Sequence, residues 1–229
     1  QAVSYTHFGI SEKLNRIDIN YGVITKQNGY MFAGNCKHVM IEDADNYVFR
    51  SQPGKYSIFD WSKDFIQLPF VPVALKGFMG RVYAFSNNQV AVINPDTLFI
   101  EDVIEGVGCI SNRTIKVSDA GMFWCDYKNV YLASPKINSV GDAIKTVDSV
   151  GWNNLTMDVK SEVRLGIDAV RKCFLLFFTN GSNHRVWLYS YQKNRWDLGE
   201  TEKKVLDTAD AKDGLCYLLL DEGRIAKFM

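Results

Sequence analysis

The chain has 229 residues, of which 47% are hydrophobic and 13% are aromatic, which excludes a disordered polypeptide and suits one or two globular domains. Its 26 basic residues balance 26 acidic residues, so no overall field draws it to nucleic acid or to an anionic membrane surface. No apolar run approaches the roughly 20 residues that cross a bilayer. We therefore predict no membrane span and no specific nucleic-acid site. The sequence begins at Gln1 without a leader-like segment, which is compatible with a processed product or with a piece of a longer polypeptide.

Five segments repeat the order of a turn, an aromatic strand, a polar turn and a second strand. In chain order they are NGYMFAGNCKHVMIED, MGRVYAFSNNQVAVIN, AGMFWCDYKNVYLAS, VRKCFLLFFTNGSNHRVWLYS and DGLCYLLLDEGRIAKF. Their equivalent turn positions are Gly29, Gly80, Gly121, Lys172 and Gly214. A strand-rich repeat of roughly 40–50 residues is typical of β-propeller blades, each of which is a four-stranded sheet.

The turns inside these segments predict β-hairpins. Asn87-Asn88, Lys128-Asn129, Asn180-Gly181 and Glu222-Gly223 each separate two apolar runs, and we expect Asn or Gly to accept the positive φ of a tight turn. The sequence therefore predicts an all-β fold, a single β-propeller domain over residues 1–229 with about five four-stranded blades. The blades are predicted near residues 21–68, 72–103, 112–147, 163–198 and 205–229.

Outer strands are predicted to follow four of the hairpins, near residues 57–68, 98–103, 142–147 and 195–198, although a helical turn near residues 142–148 is the alternative for the third. The fifth segment reaches Met229 after three strands, which leaves an edge that needs cover. Residues 14–20, with Leu14, Ile17 and Ile19, are predicted to supply the missing outer strand and to close the ring. The alternative is that further blades belong to a longer chain.

Residues that could carry chemistry are few and scattered. The five cysteines are widely spaced and are predicted to be packing residues, and His7, His38 and His184 lack partners at metal-ligand spacing. The acidic clusters at residues 42–46 and 207–214 are predicted to stabilise turns, with a glycosidase-type role as the alternative. We therefore predict no enzyme, no catalytic residues, no cofactor and no metal.

The five tryptophans divide by their positions in the predicted blades. Trp124 and Trp187 lie in the middle of strands and are predicted to be core residues, whereas Trp196 is predicted to hold an outer strand in place. Trp61 and Trp152 lie in irregular segments and are the candidates for surface contacts, either with a ligand or with a neighbouring subunit.

Several segments together resemble a pattern in the β-propeller tail proteins of tailed bacteriophages, including the tail nozzle or tail tubular proteins of short-tailed phages. The resemblance rests on VPVALKGFMGRVYAFSNNQVAVIN and GVGCISNRTIKVSDAGMFWCDYKNVYLAS, with NYVFRSQPGKYSIFDWSKDFIQLPF upstream and RVWLYSYQKNRW downstream. Two positions depart from the pattern: Asn129 stands where the family usually has glycine, and Asn112 where it commonly has proline. Asparagine also accepts left-handed geometry, so neither departure opposes the fold.

The resemblance implies a virion structural protein of a phage tail, one subunit of a nozzle, neck or tail-tip ring. Its partners would be copies of itself and neighbouring tail proteins, and no catalytic residue is carried over. The alternative is a carbohydrate- or receptor-binding propeller module that contacts a host-surface glycan or receptor. Such a module needs an exposed Trp or Tyr beside polar side chains on one face.

Overall fold

The computed structural model describes residues 20–37 and 44–229. In this part the chain forms five antiparallel sheets with one short α-helix. Its contacts divide it into two compact units, Gln1–Asn112 and Arg113–Met229. The first unit contains two of the sheets and the second contains three. The prediction of a single domain over residues 1–229 stays a prediction.

The first unit consists of two sheets whose strands follow one another in chain order. The first sheet contains β1 (Asn20–Gln27), β2 (Tyr30–Lys37), β3 (Tyr47–Gln52), β4 (Lys55–Phe59) and β5 (Phe65–Gln67). The second contains β6 (Ala74–Phe78), β7 (Arg81–Phe85), β8 (Gln89–Asn94) and β9 (Phe99–Glu105). A 3-10 helix, Ala44–Asn46, precedes β3.

The second unit consists of three sheets of the same design. The third sheet contains β10 (Ile115–Ser118), β11 (Gly121–Cys125), β12 (Val130–Ala133) and β13 (Ile137–Ser139). The fourth contains β14 (Arg164–Asp168), β15 (Cys173–Asn180), β16 (Asn183–Ser190) and β17 (Arg195–Glu200). The fifth contains β18 (Val205–Asp210), β19 (Cys216–Leu220) and β20 (Ile225–Lys227). The helices are α1 (Met157–Ser161) and 3-10 turns at Asn112–Thr114, Gly141–Ile144, Asp148–Val150 and Trp152–Asn154.

The repeat predicted from the sequence is visible in the backbone. All five aligned turn positions have positive φ, from +58° at Lys172 to +144° at Gly121. Four of them lie between the first and second strands of their sheets, and Gly121 is the first residue of the second strand, β11. Only glycine adopts such angles without steric cost, and Lys172 shows that the turn geometry is kept even where glycine is absent.

Two of the four predicted hairpin turns form by a different mechanism. Gly181 and Gly223 have positive φ as predicted, but Asn87-Asn88 and Lys128-Asn129 do not. After β7, the Oγ of Ser86 accepts a hydrogen bond from the N–H of Gln89 at 2.9 Å. After β11, the Oδ1 of Asp126 accepts hydrogen bonds from the N–H groups of Lys128 and Asn129, both at 2.7 Å. The positive-φ prediction is therefore wrong for these two turns, because a side chain before the turn replaces the strained backbone.

Three of the outer-strand predictions are confirmed in outline and one is wrong. In the first sheet the predicted outer strand is split, so that β4 and β5 both pair with β3. In the third sheet the outer strand is β13 rather than residues 142–147, which instead begin in a 3-10 helix. Asp142 accepts hydrogen bonds there from the Oγ of Ser139 and the Nδ2 of Asn129, and these contacts favour a compact turn over a strand. The predicted outer strand at residues 14–20 lies, apart from its last residue, outside the described residues.

Neighbouring sheets in each unit approach closely along their first strands. In the first unit, a Cβ added to Gly77 would lie 2.4 Å from the backbone oxygen of Lys26, and the Gly77 N–H donates to the Oγ1 of Thr25 at 2.9 Å. Only glycine fits this contact between β1 and β6. The core between the two sheets is apolar and includes Phe32 and Leu75.

The second unit has a similarly close approach between its fourth and fifth sheets, at β14 and β19. A Cβ added to Gly166 would lie 2.5 Å from the Sγ of Cys216, and Cys216 is fully buried. The predicted packing role is confirmed for Cys216 and for three further cysteines that are also buried, Cys36, Cys109 and Cys125. Cys173 is only partly buried.

Burial of Cys216 predicts a loss of stability in alkaline solution. Burial raises the pKa of this thiol from 9.0 to about 12, and the carboxylate of Asp210 adds to the effect. As pH rises, the unfolded chain therefore loses the thiol proton before the folded chain does. The free energy of unfolding consequently falls as pH rises above about 9. In urea unfolding followed by circular dichroism, we expect Cys216→Ala to reduce the loss between about pH 8 and pH 10 by about 1 kcal/mol.

Cys173→Ala is the matched control, because this thiol is half-buried and its pKa is raised less strongly. The same dependence on pH in wild type and Cys216→Ala would contradict the prediction.

Candidate binding surfaces

Trp61, the first predicted surface contact, lies in the loop between β4 and β5. It packs against a cluster that includes Cys36 and Phe49 and is half-buried. The buried Asp60 holds the loop, since its Oδ1 accepts hydrogen bonds from the N–H of Ser62 at 3.2 Å and from its Oγ at 2.6 Å. Burial opposes ionisation of Asp60, but the bonds from Ser62 help to hold the pKa of its carboxyl below the ordinary value. A role for Trp61 in a surface contact stays a prediction.

Trp152, the second predicted surface contact, is fully buried, so that prediction is wrong. The Nζ of Lys160 lies 5.3 Å from the centre of its ring and donates a hydrogen bond to the backbone oxygen of Tyr127 at 2.8 Å. The segment between β13 and β14 thus folds back onto the hairpin of the third sheet. Burial of this large ring is favourable because it removes apolar surface from water.

The other three tryptophans lie where the sequence predicts them. Trp124 and Trp187 are buried in the second unit. Trp196, on the outer strand β17, donates a hydrogen bond from its indole N–H to the backbone oxygen of Val140 at 2.7 Å. It also contacts the ring of Tyr189, with centroids 5.0 Å apart. Trp196 therefore holds the outer strand in place, as predicted.

In the acidic cluster at residues 207–214, Asp210 and Asp213 stabilise the fold through hydrogen bonds. Asp210 on β18 accepts a hydrogen bond from the Nζ of Lys116 on β10 at 2.7 Å and from the N–H of Ile167 on β14 at 2.9 Å. Asp213 accepts from the N–H of Leu215 at 3.1 Å. The contacts of Asp210 connect β10, β14 and β18, the first strands of the three sheets of the second unit. The contact of Asp213 closes a turn. In the first cluster, residues 42 and 43 lie outside the described residues.

The histidines and the helices of the described residues form neither a metal site nor a membrane span. His184 pairs across its hairpin with Thr179, whose Oγ1 lies 3.1 Å from the Nδ1 of the ring, whereas His7 and His38 lie outside the described residues. In residues 20–37 and 44–229 no group of three or more His, Cys, Asp or Glu side chains could hold a metal ion. None of the helices described is both long and apolar enough to cross a membrane.

The fifth sheet has one buried and one exposed face. Cys216, Leu218 and Leu220 point toward the fourth sheet and are buried. The alternate positions form what we call the outward face, where Leu219 pairs with Ile225 across β19 and β20. These two side chains are 38% and 72% exposed. In the part of the chain that the structure describes, β20 pairs with β19 alone, so an apolar face lies beside an open strand edge.

A groove of about 630 Å³ opens beside the turns of the third and fourth sheets. We call it the turn-side groove. Its polar lining consists of Ser118, Asp119, Ser134, Lys172, Tyr191 and Gln192. Its volume lies within the range of small-molecule sites. The groove therefore has the size and the mixed lining of a ligand site.

Tyr191 is the groove residue that sequence reasoning missed. It directly follows β16, in the turn before β17, and its ring lies 5.4 Å from that of Phe174 at an angle of 55°. Burial raises the pKa of its hydroxyl, and so do the Cys173 thiol and the Asp119 and Asp168 side chains. An aromatic residue at the junction of strand and polar turn was the available signal. The sequence could not show that Asp119, far away in the chain, would lie close to it.

A second groove, of about 420 Å³, lies on the first sheet. It is lined by apolar and aromatic side chains such as Ile24, Met31 and Phe59. The Nζ of Lys26 lies 4.5 Å from the centre of the Tyr56 ring. Because few polar groups line it, this groove offers little to orient a ligand.

Comparisons with known proteins give the fold a name. No protein-family model and no curated protein sequence matches the chain. Among solved structures, the chain is similar to the β-propeller domain of Cps50 (Swd1) from Myceliophteria thermophila, with 6% identity and a TM-score of 0.54 over 91% of this chain and 65% of that chain. It is similar to Hsv2 from Kluyvelomyces marxianus, with 10% identity and a TM-score of 0.51 over 89% of this chain and 57% of that chain. It is also similar to the extracellular domain of BT4673 from B. thetaiotaomicron, with 11% identity and a TM-score of 0.52 over 98% of this chain and 29% of that chain.

These likenesses and the five meander sheets confirm the prediction of an all-β fold, a β-propeller. At such low identity they show the fold alone. The chain spans less than two thirds of the length of each of these structures.

Proposed function

We propose that this protein is a structural component of a bacteriophage tail, one subunit of a nozzle, neck or tail-tip ring. The support from the sequence is an order of segments that resembles phage tail propellers and that includes β3 to β8, β10 to β12 and β16 to the start of β17. The observation that carries an assembly role is the outward face of the fifth sheet.

The outward face has the chemistry of a protein-protein contact. Leu219 and Ile225 lie side by side, and Leu206, in the β-bulge next to Asp207, is a third exposed apolar side chain in this sheet. Single exposed apolar residues are ordinary, whereas contiguous ones mark interaction sites. We therefore assign this face to contact with another copy of the chain in the ring.

Charge substitution on the outward face is expected to prevent assembly. Wild-type protein should form oligomers in light scattering coupled to size exclusion, and the double variant Leu219→Asp with Ile225→Asp should remain monomeric, because the buried carboxylates would lack partners. Met157→Asp is the matched control, since Met157 is also exposed in the second unit but lies on α1. A monomeric wild type at every concentration would contradict the role assigned to this face.

The location in a virion is tested separately. Mass spectrometry of particles purified from a phage that encodes this chain should detect the chain in stoichiometric amounts with the other tail proteins. Its absence from intact particles would overturn the proposal, whatever the oligomeric state of the isolated chain.

A further inference from the structure

We propose that the turn-side groove of the second unit binds a neutral saccharide. This inference goes beyond the assembly role and does not depend on it. The groove is formed by the turns that follow β10, β14 and β16 and by residues of β12, whereas the outward face belongs to β19 and β20.

The charges of the lining favour an uncharged ligand. Asp119 and Lys172 are its two formally charged residues and have opposite signs. Their fields oppose each other at the groove, so neither an anion nor a cation gains from the lining as a whole. The ligand class is therefore neutral and polar.

The hydrogen-bonding groups of the groove match a ligand that both donates and accepts. Ser118 and Ser134 carry hydroxyls that do both, the amide of Gln192 has a donor end and an acceptor end, Asp119 accepts and Lys172 donates. A hydroxyl is the ligand group that can use every one of these partners. A ligand with several hydroxyls on one small frame fits this lining best.

The remaining lining is apolar and suits the C–H face of a sugar ring. Leu132 and Ala169 contribute aliphatic surface to the groove that Tyr191 also lines. Pyranose sugars combine an apolar face with a rim of hydroxyls, and ligand sites combine an apolar surface with a few fixed polar groups in the same way. Tyr191 supplies both, because its ring is apolar and its hydroxyl is polar.

The groove is held in shape before a ligand arrives. The N–H of Ala169 donates to the backbone oxygen of Gly214 at 2.8 Å, and the N–H of Arg171 donates to the Oδ1 of the buried Asp168, also at 2.8 Å. The N–H of Tyr191 donates to the backbone oxygen of Lys172 at 3.3 Å. Ordering these turns costs nothing at the moment of binding, which favours affinity.

Tyr191 is itself fixed and protonated. Its ring contacts Phe174, a buried residue of β15, which fixes the ring relative to the sheet. Its hydroxyl is protonated in neutral solution, because the ordinary pKa of tyrosine is already about 10 and burial raises the pKa of Tyr191 above that value. The hydroxyl can therefore donate to a sugar oxygen while the carboxylate of Asp119 accepts from a neighbouring sugar hydroxyl.

The test is titration of the purified chain with neutral oligosaccharides of glucose, galactose and mannose, by calorimetry and saturation-transfer NMR. At least one should bind with a Kd of roughly 1 mM or tighter. Tyr191→Ala should weaken that binding about tenfold or more, because a central aromatic contact is lost. Tyr191→Phe, which keeps the ring, should weaken it less.

Exposed positions keep the test decisive if Tyr191→Ala fails to fold. Asp119→Asn and Gln192→Ala should each weaken binding several-fold, whereas Asp197→Asn, an exposed change on β17, should leave it unchanged. The Leu219→Asp and Ile225→Asp double variant should bind the saccharide like wild type even though it does not assemble. No binding to any of the three sugars, equal binding by all variants, or binding of a neutral peptide in place of a sugar would overturn the proposal.

Discussion

Trp152→Ala is expected to lower the free energy of unfolding of the second unit by about 3–5 kcal/mol, the range for removal of a buried aromatic side chain. Trp152 is fully buried and is among the largest side chains in the interior. Its loss leaves a cavity, and it also removes the ring from the buried ammonium group of Lys160. The cost therefore combines lost apolar burial with an exposed cation that had been covered.

Two further variants make this result specific. The indole N–H of Trp152 has no hydrogen-bond partner in the described part of the chain, so Trp152→Phe should lose only volume and should cost about 1–2 kcal/mol. Trp61→Ala, at a half-buried position in the first unit, should cost about 1–2 kcal/mol. Urea unfolding followed by far-ultraviolet circular dichroism measures all three. Equal losses for Trp61→Ala and Trp152→Ala would contradict the expected difference between a half-buried and a fully buried ring.

Asp126→Ala is expected to cost about 3–5 kcal/mol, because it removes a buried charge with several partners. The Oδ1 of Asp126 accepts hydrogen bonds from the N–H groups of Lys128 and Asn129, both at 2.7 Å. Its Oδ2 accepts one from the hydroxyl of Tyr131 at 3.0 Å. Alanine removes the acceptor of two buried donors, the N–H of Asn129 and the hydroxyl of Tyr131.

Lys160 couples this turn to the segment that follows β13. Burial lowers the pKa of Lys160, and the charge of Asp126 partly offsets that effect. Lys160→Met should therefore cost less in the Asp126→Ala background than in wild type, with a coupling of about 1 kcal/mol in a double-mutant cycle. Asp126→Asn retains an acceptor and should cost less than alanine. Strict additivity together with a small effect of Asp126→Ala would contradict the coupling.

The repeat and its fold could be predicted because their signals are local. Alternating apolar residues reveal strands, and glycine at a fixed place reveals a turn, since both depend on the few neighbouring residues that set φ and ψ. Four of the five aligned turns follow that rule, and Lys172, with φ of +58°, keeps the turn geometry without glycine. The core positions of Trp124 and Trp187 could be predicted for the same reason, because each lies inside an alternating strand.

The errors occur where side-chain contacts, rather than the strand pattern, decide the local structure. The sequence predicts that Asn129 accepts positive φ, but the Oδ1 of Asp126 holds this turn by accepting hydrogen bonds from the N–H groups of Lys128 and Asn129, and the Asn129 side chain donates to the Oγ of Ser139 at 2.5 Å. That contact depends on where the following segment lies. Trp152 was predicted to be exposed because its segment has no regular pattern, and a lack of periodicity carries no information about burial.

The sequence by itself determined the strands, their turns and the blade repeat, since hydrogen bonding and side-chain alternation act over a few residues. Only the tertiary structure decided that Trp152 is buried, that the outward face of the fifth sheet is exposed, and that Asp119 lies near Tyr191. Burial and proximity depend on which sheets pack together, and that packing joins residues many positions apart in the chain.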